Sequence, residues 1–362
     1  MNASAPVARR SPSLTAQLGL SERIFSTAPD RALARAIDDG LERVEAGMVQ
    51  QLSFADAVAD VSTRYLLEAG GKRVRPMLTL LTAQLGRGNT PEVLSAAQAI
   101  EITHLGSLYH DDVMDEAEKR RGVPSAQTVW GNNVAILTGD LLFARANQLM
   151  TELGERAIRL QTDTFERLVL GQLHETVGPG AGEDPVEHYL GVLADKTGSL
   201  IAAAARTGVV FSEAPAPFEE AVRVFGEKIG VAFQIVDDVI DLSPQPEETG
   251  KNPGTDIRAG VSTLPILRLR ERATSDREAA VLLARIESYV SRTNDAIAHT
   301  DEQSADISDA IAQLRDHPVT AQTLAEAHAW ADEAVDALAP LPDGPVRKAL
   351  TRFADTVVDR NG

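Results

Sequence analysis

The sequence predicts an all-α protein, and three observations carry that prediction. Apolar residues recur at three- and four-residue spacing from about Asp30 to the end of the chain, the period of a helix with one buried face. Gly and Pro fall mostly between those stretches, as helix punctuation does. Aromatic residues make up only 4% of the chain, which disfavours strands, where aromatic side chains concentrate. About ten to thirteen helices follow from this reading. They form one helical domain over residues 18–362, behind a flexible arm at residues 1–17.

Taken in order, the first clear helix runs from Arg31 to Leu52. A second helix, Pro91 to about Glu116, opens on a proline, whose missing N–H costs nothing in the first turn. Gly131 to Leu153 follows, then Pro185 to Ser212 and Pro217 to Leu242, both again opening on proline. The stretch Pro318 to Arg360 reads as two further amphipathic helices. Two breaks stand apart. Glu118-Lys119-Arg120-Arg121-Gly122 is basic in an acidic chain, and Ser243 to Gly260 is rich in Pro, Gly and charge. Long connections of the second kind inside compact domains are often functional.

Composition removes several classes of function. A chain of 362 residues can bury a substantial core, and its formal charge of −18 repels nucleic-acid phosphates, with no basic stripe to offset it. There is no cysteine, so disulfides, thiolate catalysis and cysteine metal sites are excluded, and a reducing cytoplasm fits. Arg9-Arg10 is not followed by the apolar run a secretion signal needs. No apolar stretch reaches the ~20 residues that cross a bilayer, so a soluble protein that touches membranes only peripherally is expected.

One motif occurs twice. Asp111-Asp112-Val113-Met114-Asp115 closes one expected helix and Asp237-Asp238-Val239-Ile240-Asp241 another. Residues i and i+4 share a helix face, so Asp111 lies beside Asp115 and Asp237 beside Asp241. Like charges so placed repel, and a cation relieves them. Oxygen-only ligands suit a hard ion such as Mg2+, which takes few carboxylates together with water and substrate phosphates. A single acidic helix end would be read as a solvated face; the second copy, again behind an apolar run, argues for a metal-lined cavity. Cations for an anionic substrate are present in Gly70-Gly71-Lys72-Arg73-Val74-Arg75-Pro76 and in Arg120-Arg121.

These residues, with His110 to Gly122, Gly139-Asp140, Lys196-Thr197, Phe233-Gln234, Gly250-Lys251 and Thr263-Leu264-Pro265, resemble the trans-type polyprenyl diphosphate synthases over most of residues 30–350. The resemblance implies the isoprenoid synthase fold, a helical bundle around a central cavity, and a homodimer. It implies Mg2+ held by Asp111, Asp115, Asp237 and Asp241, with Asp112 and Asp238 as further ligands or acceptors. Arg120, Lys196, Thr197, Gln234 and Lys251 would hold an allylic prenyl diphosphate, and Lys72, Arg75, His104 and Arg121 isopentenyl diphosphate. Asp111, Asp112, Asp115, Lys196 and Asp237 would carry catalysis. Diphosphate leaves the allylic carbon, the double bond of isopentenyl diphosphate attacks it, and the departing diphosphate takes the proton. Lys196 has separate support, because a lysine entering the apolar run Leu200-Ile201-Ala202-Ala203-Ala204-Ala205 needs a partner.

The family usually has lysine after the glycine preceding Thr-Leu-Pro, whereas Gly260 is followed by Val261; an auxiliary phosphate contact is thereby in question. Chain length is read beneath the first motif. Gly106 and Ser107 stand where shorter-chain members carry a bulky floor, with Thr103 and Ile100 below, which implies a medium or long product. Geranylgeranyl diphosphate synthase is the alternative, as is a subunit of a heteromeric synthase, although such a subunit would be expected to have lost acids. A terpene cyclase would not need a second diphosphate site. Equally, Gly106 and Ser107 could serve close helix packing.

Overall fold

The structure is a computed structural model that describes residues 27–244, 253–294 and 300–359. The expected N-terminal arm lies outside them. Among the described residues the helices are α1 (Ala28–Gln51), α2 (Ala57–Glu68), α3 (Val74–Ala83), α4 (Pro91–Met114), α5 (Ala126–Trp130), α6 (Asn132–Glu152), α7 (Glu155–Val177) and α8 (Pro185–Leu193). They continue as α9 (Ser199–Phe211), α10 (Pro217–Asp241), α11 (Thr255–Arg258), α12 (Leu264–Ala273), α13 (Arg277–Asn294), α14 (Asp301–Asp316), α15 (Pro318–Ala337) and α16 (Pro345–Val358). The only strands described are β1 (Lys119–Arg120) and β2 (Val123–Pro124). The helices outnumber the expectation because short ones such as α5 and α11 are too brief to show a period.

The described residues fall into two compact units: those within 27–166, 199–226 and 337–353 make the first, and those within 167–198, 227–336 and 354–359 the second. In the first, α1 starts three residues before the expected Arg31. Thr27 and Asp30 close a capping box, the Asp30 N–H reaching Thr27 Oγ at 3.3 Å and the Thr27 N–H reaching Asp30 Oδ2 at 3.2 Å. The α4 helix is buried nearly all round, which hides its helical period and explains its small polar-to-apolar contrast. Its neighbours supply Met77, Leu80, Leu81, Leu142 and Leu149 to a core around Ile100, Ile102, Leu105 and Tyr109. The basic break Glu118–Gly122 is a hairpin, with Lys119 opposite Pro124 and Arg120 opposite Val123. Arg121 and Gly122 both have positive φ, as a two-residue turn between twisted strands requires.

The second unit has its own core, built from Leu242, Ile257, Ile266, Leu269, Leu282, Ile286, Ile307, Ile311, Leu314 and Val319. The continuous helix expected from Pro185 to Ser212 is interrupted: Ala194–Gly198 forms a π turn. A close backbone approach accompanies it. A Cβ at Gly171 would lie 2.6 Å from the Lys196 nitrogen and 3.0 Å from the Asp195 carbonyl carbon, so α7 comes against the widened turn only because position 171 is bare. Arg167 secures the turn, with Nε 2.7 Å from Asp195 Oδ1 and Nη1 2.7 Å from Glu227 Oε2.

Candidate active site

In the first unit, Thr90 starts the helix that ends in the first acidic motif. Its hydroxyl accepts the Val93 N–H, Pro91 fills the first turn, and α4 runs to Met114, leaving Asp115 at its C-cap. Asp111 and Asp115 are one turn apart, joined by the Asp115 N–H donating to the Asp111 carbonyl at 2.8 Å. Asp112 points elsewhere. It is fully buried; Oδ1 accepts from Arg120 Nε at 2.6 Å and Oδ2 has no hydrogen-bond partner. Burial raises its pKa, partly opposed by Arg120.

Beside this helix end lies a crowd of guanidinium groups. Arg73, in the left-handed region at φ 50°, forms ion pairs with Glu45 and with buried Glu101, the latter at 3.2 Å. Arg121 Nη1 donates to the carbonyls of Leu66, at 2.7 Å, and Gly70. Burial and the nearby Arg73, Arg75 and Arg120 bring the Arg121 pKa down to about 10, while Glu101 works against them. Arg75 keeps a buried Nε with no partner, and burial lowers its pKa. His104 shares this field. Burial, then Arg75, Arg121, Arg73 and Arg120, hold its pKa well below the usual histidine range, so it is neutral. Lys72 is exposed at the mouth of the same turn. So many cations against so few acids make a site for a multiply charged anion. Glu101 was missed from sequence, although an acid inside Ala99-Ile100-Glu101-Ile102 is the mark of a buried ion pair.

The three positions read for product length are all buried. A Cβ at Gly106 would meet Phe143 Cε1 at 3.0 Å and the Gly139 carbonyl at 3.2 Å, so this glycine lets α4 and α6 close on each other. Ser107 Oγ donates to the His104 carbonyl at 2.9 Å. Thr103 Oγ donates to the Ala99 carbonyl and accepts from Gln161 Nε2 at 2.8 Å, a polar crosspiece two turns below Asp111.

In the second unit, α10 ends in the second motif. Asp238 is 2% exposed; its Oδ2 accepts from the Tyr189 hydroxyl at 2.6 Å and, more distantly, from the Leu264 N–H at 3.5 Å. Burial, reinforced by Asp256 and Asp237 and opposed by those hydrogen bonds, lifts the Asp238 pKa to about 8. Tyr189 is pushed well above its usual value by burial and by Asp238. Asp241 Oδ2 accepts the Asp256 N–H at 3.1 Å and its carbonyl the Gly254 N–H at 2.7 Å. Asp237, Gln234 and Thr197 are partly exposed. Lys196 has the partner its apolar surroundings demanded, an ion pair with Glu175. Lys251 lies outside the described residues. Val261 is 43% exposed.

No cluster of three or more His, Asp or Glu among the described residues is arranged to hold a metal ion unaided. Each motif offers a pair of carboxylates one helical turn apart, Asp111 with Asp115 and Asp237 with Asp241. That donor set fits Mg2+, which keeps several waters and takes one or two carboxylates with substrate phosphates.

The polyprenyl synthetase family profile matches residues 57–300. The chain is 44% identical to the nonaprenyl diphosphate synthase of Mycobacterium tuberculosis over 335 residues, 92% of this chain and 96% of that one. Among solved structures it is similar to a polyprenyl synthase from Caulobacter crescentus complexed with calcium and isoprenyl diphosphate, at 31% identity and a TM-score of 0.80, covering 93% of this chain and 99% of that one. A geranylgeranyl pyrophosphate synthase from Corynebacterium glutamicum, complexed with the same two ligands, is 37% identical with a TM-score of 0.77, covering 93% and 98%.

Proposed function

We propose, from the premise that this chain belongs to the polyprenyl synthetase family and is a prenyltransferase, that it joins isopentenyl diphosphate head-to-tail to an allylic prenyl diphosphate and extends a linear product of medium or long chain length. One observation supports the reading above the rest. In a single unit, a cluster of arginines that together with burial keeps His104 neutral shares Arg120 with the helix end that bears the paired carboxylates of Asp111 and Asp115.

In this reading Asp111, Asp115, Asp237 and Asp241 hold Mg2+, and Asp112 acts through Arg120. When bound, the ion supplies Lewis-acid stabilisation of the charge on the departing diphosphate. Lys72, Arg75 and Arg121 fix the diphosphate of isopentenyl diphosphate, and neutral His104 can hydrogen-bond it without titrating near neutral pH. Arg120, Lys196, Thr197, Gln234 and Lys251 fix the allylic diphosphate. The allylic C–O bond breaks, the isopentenyl double bond forms the new C–C bond, and the released diphosphate takes the proton. The protein therefore contributes alignment and fixed positive charge in place of a nucleophile.

The name of the mycobacterial relative supports a long product; the corynebacterial neighbour favours geranylgeranyl diphosphate as the second reading. A homodimer is part of the proposal, and the exposed Ile136, Leu137 and Leu141 along α6 offer an apolar face for a second copy. No described helix is long and apolar enough to cross a membrane, and we place the activity in the cytoplasm, with a long product handed over at a membrane surface. Incubation of the purified chain with Mg2+, labelled isopentenyl diphosphate and farnesyl diphosphate, followed by mass spectrometry, tests the activity and the product length. A product longer than geranylgeranyl diphosphate is expected. Arrest at that length favours the second reading, and no incorporation refutes both.

A further inference from the structure

Tyr189 belongs to no motif in the sequence, yet its hydroxyl donates at 2.6 Å to Asp238 Oδ2. Because the same oxygen also faces the Leu264 N–H at 3.5 Å, α8, the last turn of α10 and the start of α12 meet at one buried carboxylate within the second unit. Asp241 is tied separately, to the turn at Gly254 and Asp256. The first motif repeats the arrangement with other chemistry: its second acid, Asp112, is also buried and is held by a side chain from another segment, Arg120. In each motif the second acid lies about 100° around the helix from the first acid and about 60° from the last, to one side of the i, i+4 pair. It can therefore anchor the helix end while the pair faces the ligand side.

We propose that Tyr189 is a positioning residue for the metal site: its hydroxyl fixes Asp238, and Asp238 sets the rotation of the last turn of α10 that presents Asp237 and Asp241. The inference rests on the reading of those two aspartates as Mg2+ ligands. Loss of the hydroxyl leaves Asp238 Oδ2 with only the distant Leu264 N–H, and a buried carboxylate in that state turns to find another partner. The turn that carries Asp237 moves with it.

Binding of Mn2+ in the presence of inorganic pyrophosphate, followed by the paramagnetic signal of the bound ion, tests this on the full chain without relying on turnover. Tyr189→Phe should bind Mn2+ roughly tenfold more weakly than the unaltered protein. Asp238→Asn, which keeps an oxygen acceptor for Tyr189, should stay closer to the unaltered protein than Tyr189→Phe does. In parallel kinetics, Tyr189→Phe should need correspondingly more Mg2+ for half-maximal rate while KM for isopentenyl diphosphate stays constant, a split that general loosening would not produce. Unchanged Mn2+ affinity in Tyr189→Phe overturns the proposal. So does a greater loss in Asp238→Asn than in Tyr189→Phe, because Asp238 would then act on the ion by its charge. If the unaltered protein binds no Mn2+ with pyrophosphate, the metal reading fails and the proposal with it, whereas normal Mn2+ binding without product refutes the proposed function alone.

Discussion

Replacing Asp238 by asparagine should flatten the pH dependence of stability in the metal-free protein. In the unfolded chain the carboxyl titrates near 3.8, and in the fold near 8. Between those values the folded state keeps a proton that the unfolded state has released, so the raised pKa stabilises the fold at low pH. That stabilisation drains away as pH rises through the window and is gone above about 8. The limiting slope is about 1.4 kcal/mol per pH unit. With Asp238 only 2% exposed there is little solvent screening, and the value near 8 already includes the opposing Tyr189 and Leu264 hydrogen bonds; partial protonation at the two ends of the window trims the limiting figure. About 2 kcal/mol between pH 5 and pH 7 is therefore expected. Asparagine cannot ionise and should lose none of this. Urea unfolding in chelator at half-unit pH steps measures the difference between the two proteins, which cancels every other titrating group. The variant should gain on the unaltered protein by about 2 kcal/mol over that interval and level off above pH 8. A constant offset from pH 5 to pH 8 would refute the reasoning, since it would mean that Asp238 titrates normally.

Asp111→Ala and Asp237→Ala should each remove nearly all Mg2+-dependent condensation while urea unfolding without metal stays unchanged or improves slightly, because each relieves like-charge repulsion; an active variant would sink the metal assignment. Arg121→Ala should raise KM for isopentenyl diphosphate more than for the allylic substrate and Lys196→Ala the reverse, measured with the other substrate saturating; equal losses would refute the division. Ser107→Phe should shorten the product seen by mass spectrometry without stopping turnover, and a folded variant with product of the original length would place the tail path on another face of α4. Gly171→Ala puts a methyl 2.6 Å from the Lys196 nitrogen and should cost roughly 2 to 3 kcal/mol in urea unfolding, with a neutral result showing that α7 can retreat.

Much of the helical architecture was legible because its signals are local. Prolines at positions 91, 185, 217 and 318 mark helix starts to the residue, and each acidic motif ends its helix within a residue or two of expectation. Features that depend on distant neighbours were not legible. The π turn at Ala194–Gly198 is coupled to the approach of Gly171 from another helix, and no period in its own sequence reports that. The basic break turned out to be a hairpin because of the two positive-φ residues between its arms, a pattern that Arg121 disguises since an arginine is uncommon there. For the candidate site, the sequence offers residue types but not their pairings. Lys196 was expected to need a partner, and only the fold shows that Glu175 provides one; Tyr189, seven residues earlier, carries no sequence signal of its contact with Asp238.

The ion pair between Lys196 and Glu175 means that an incoming anion does not meet a bare ammonium group; it must exchange with a carboxylate already there. Exchange is nearly neutral for a singly charged newcomer, which offers the lysine no more than Glu175 does. It is favourable for a dense polyanion, which brings more charge within the same distance. Glu175 would thus work as a threshold on charge density, leaving the lysine unresponsive to monovalent carboxylates and responsive to dense polyanions such as diphosphates.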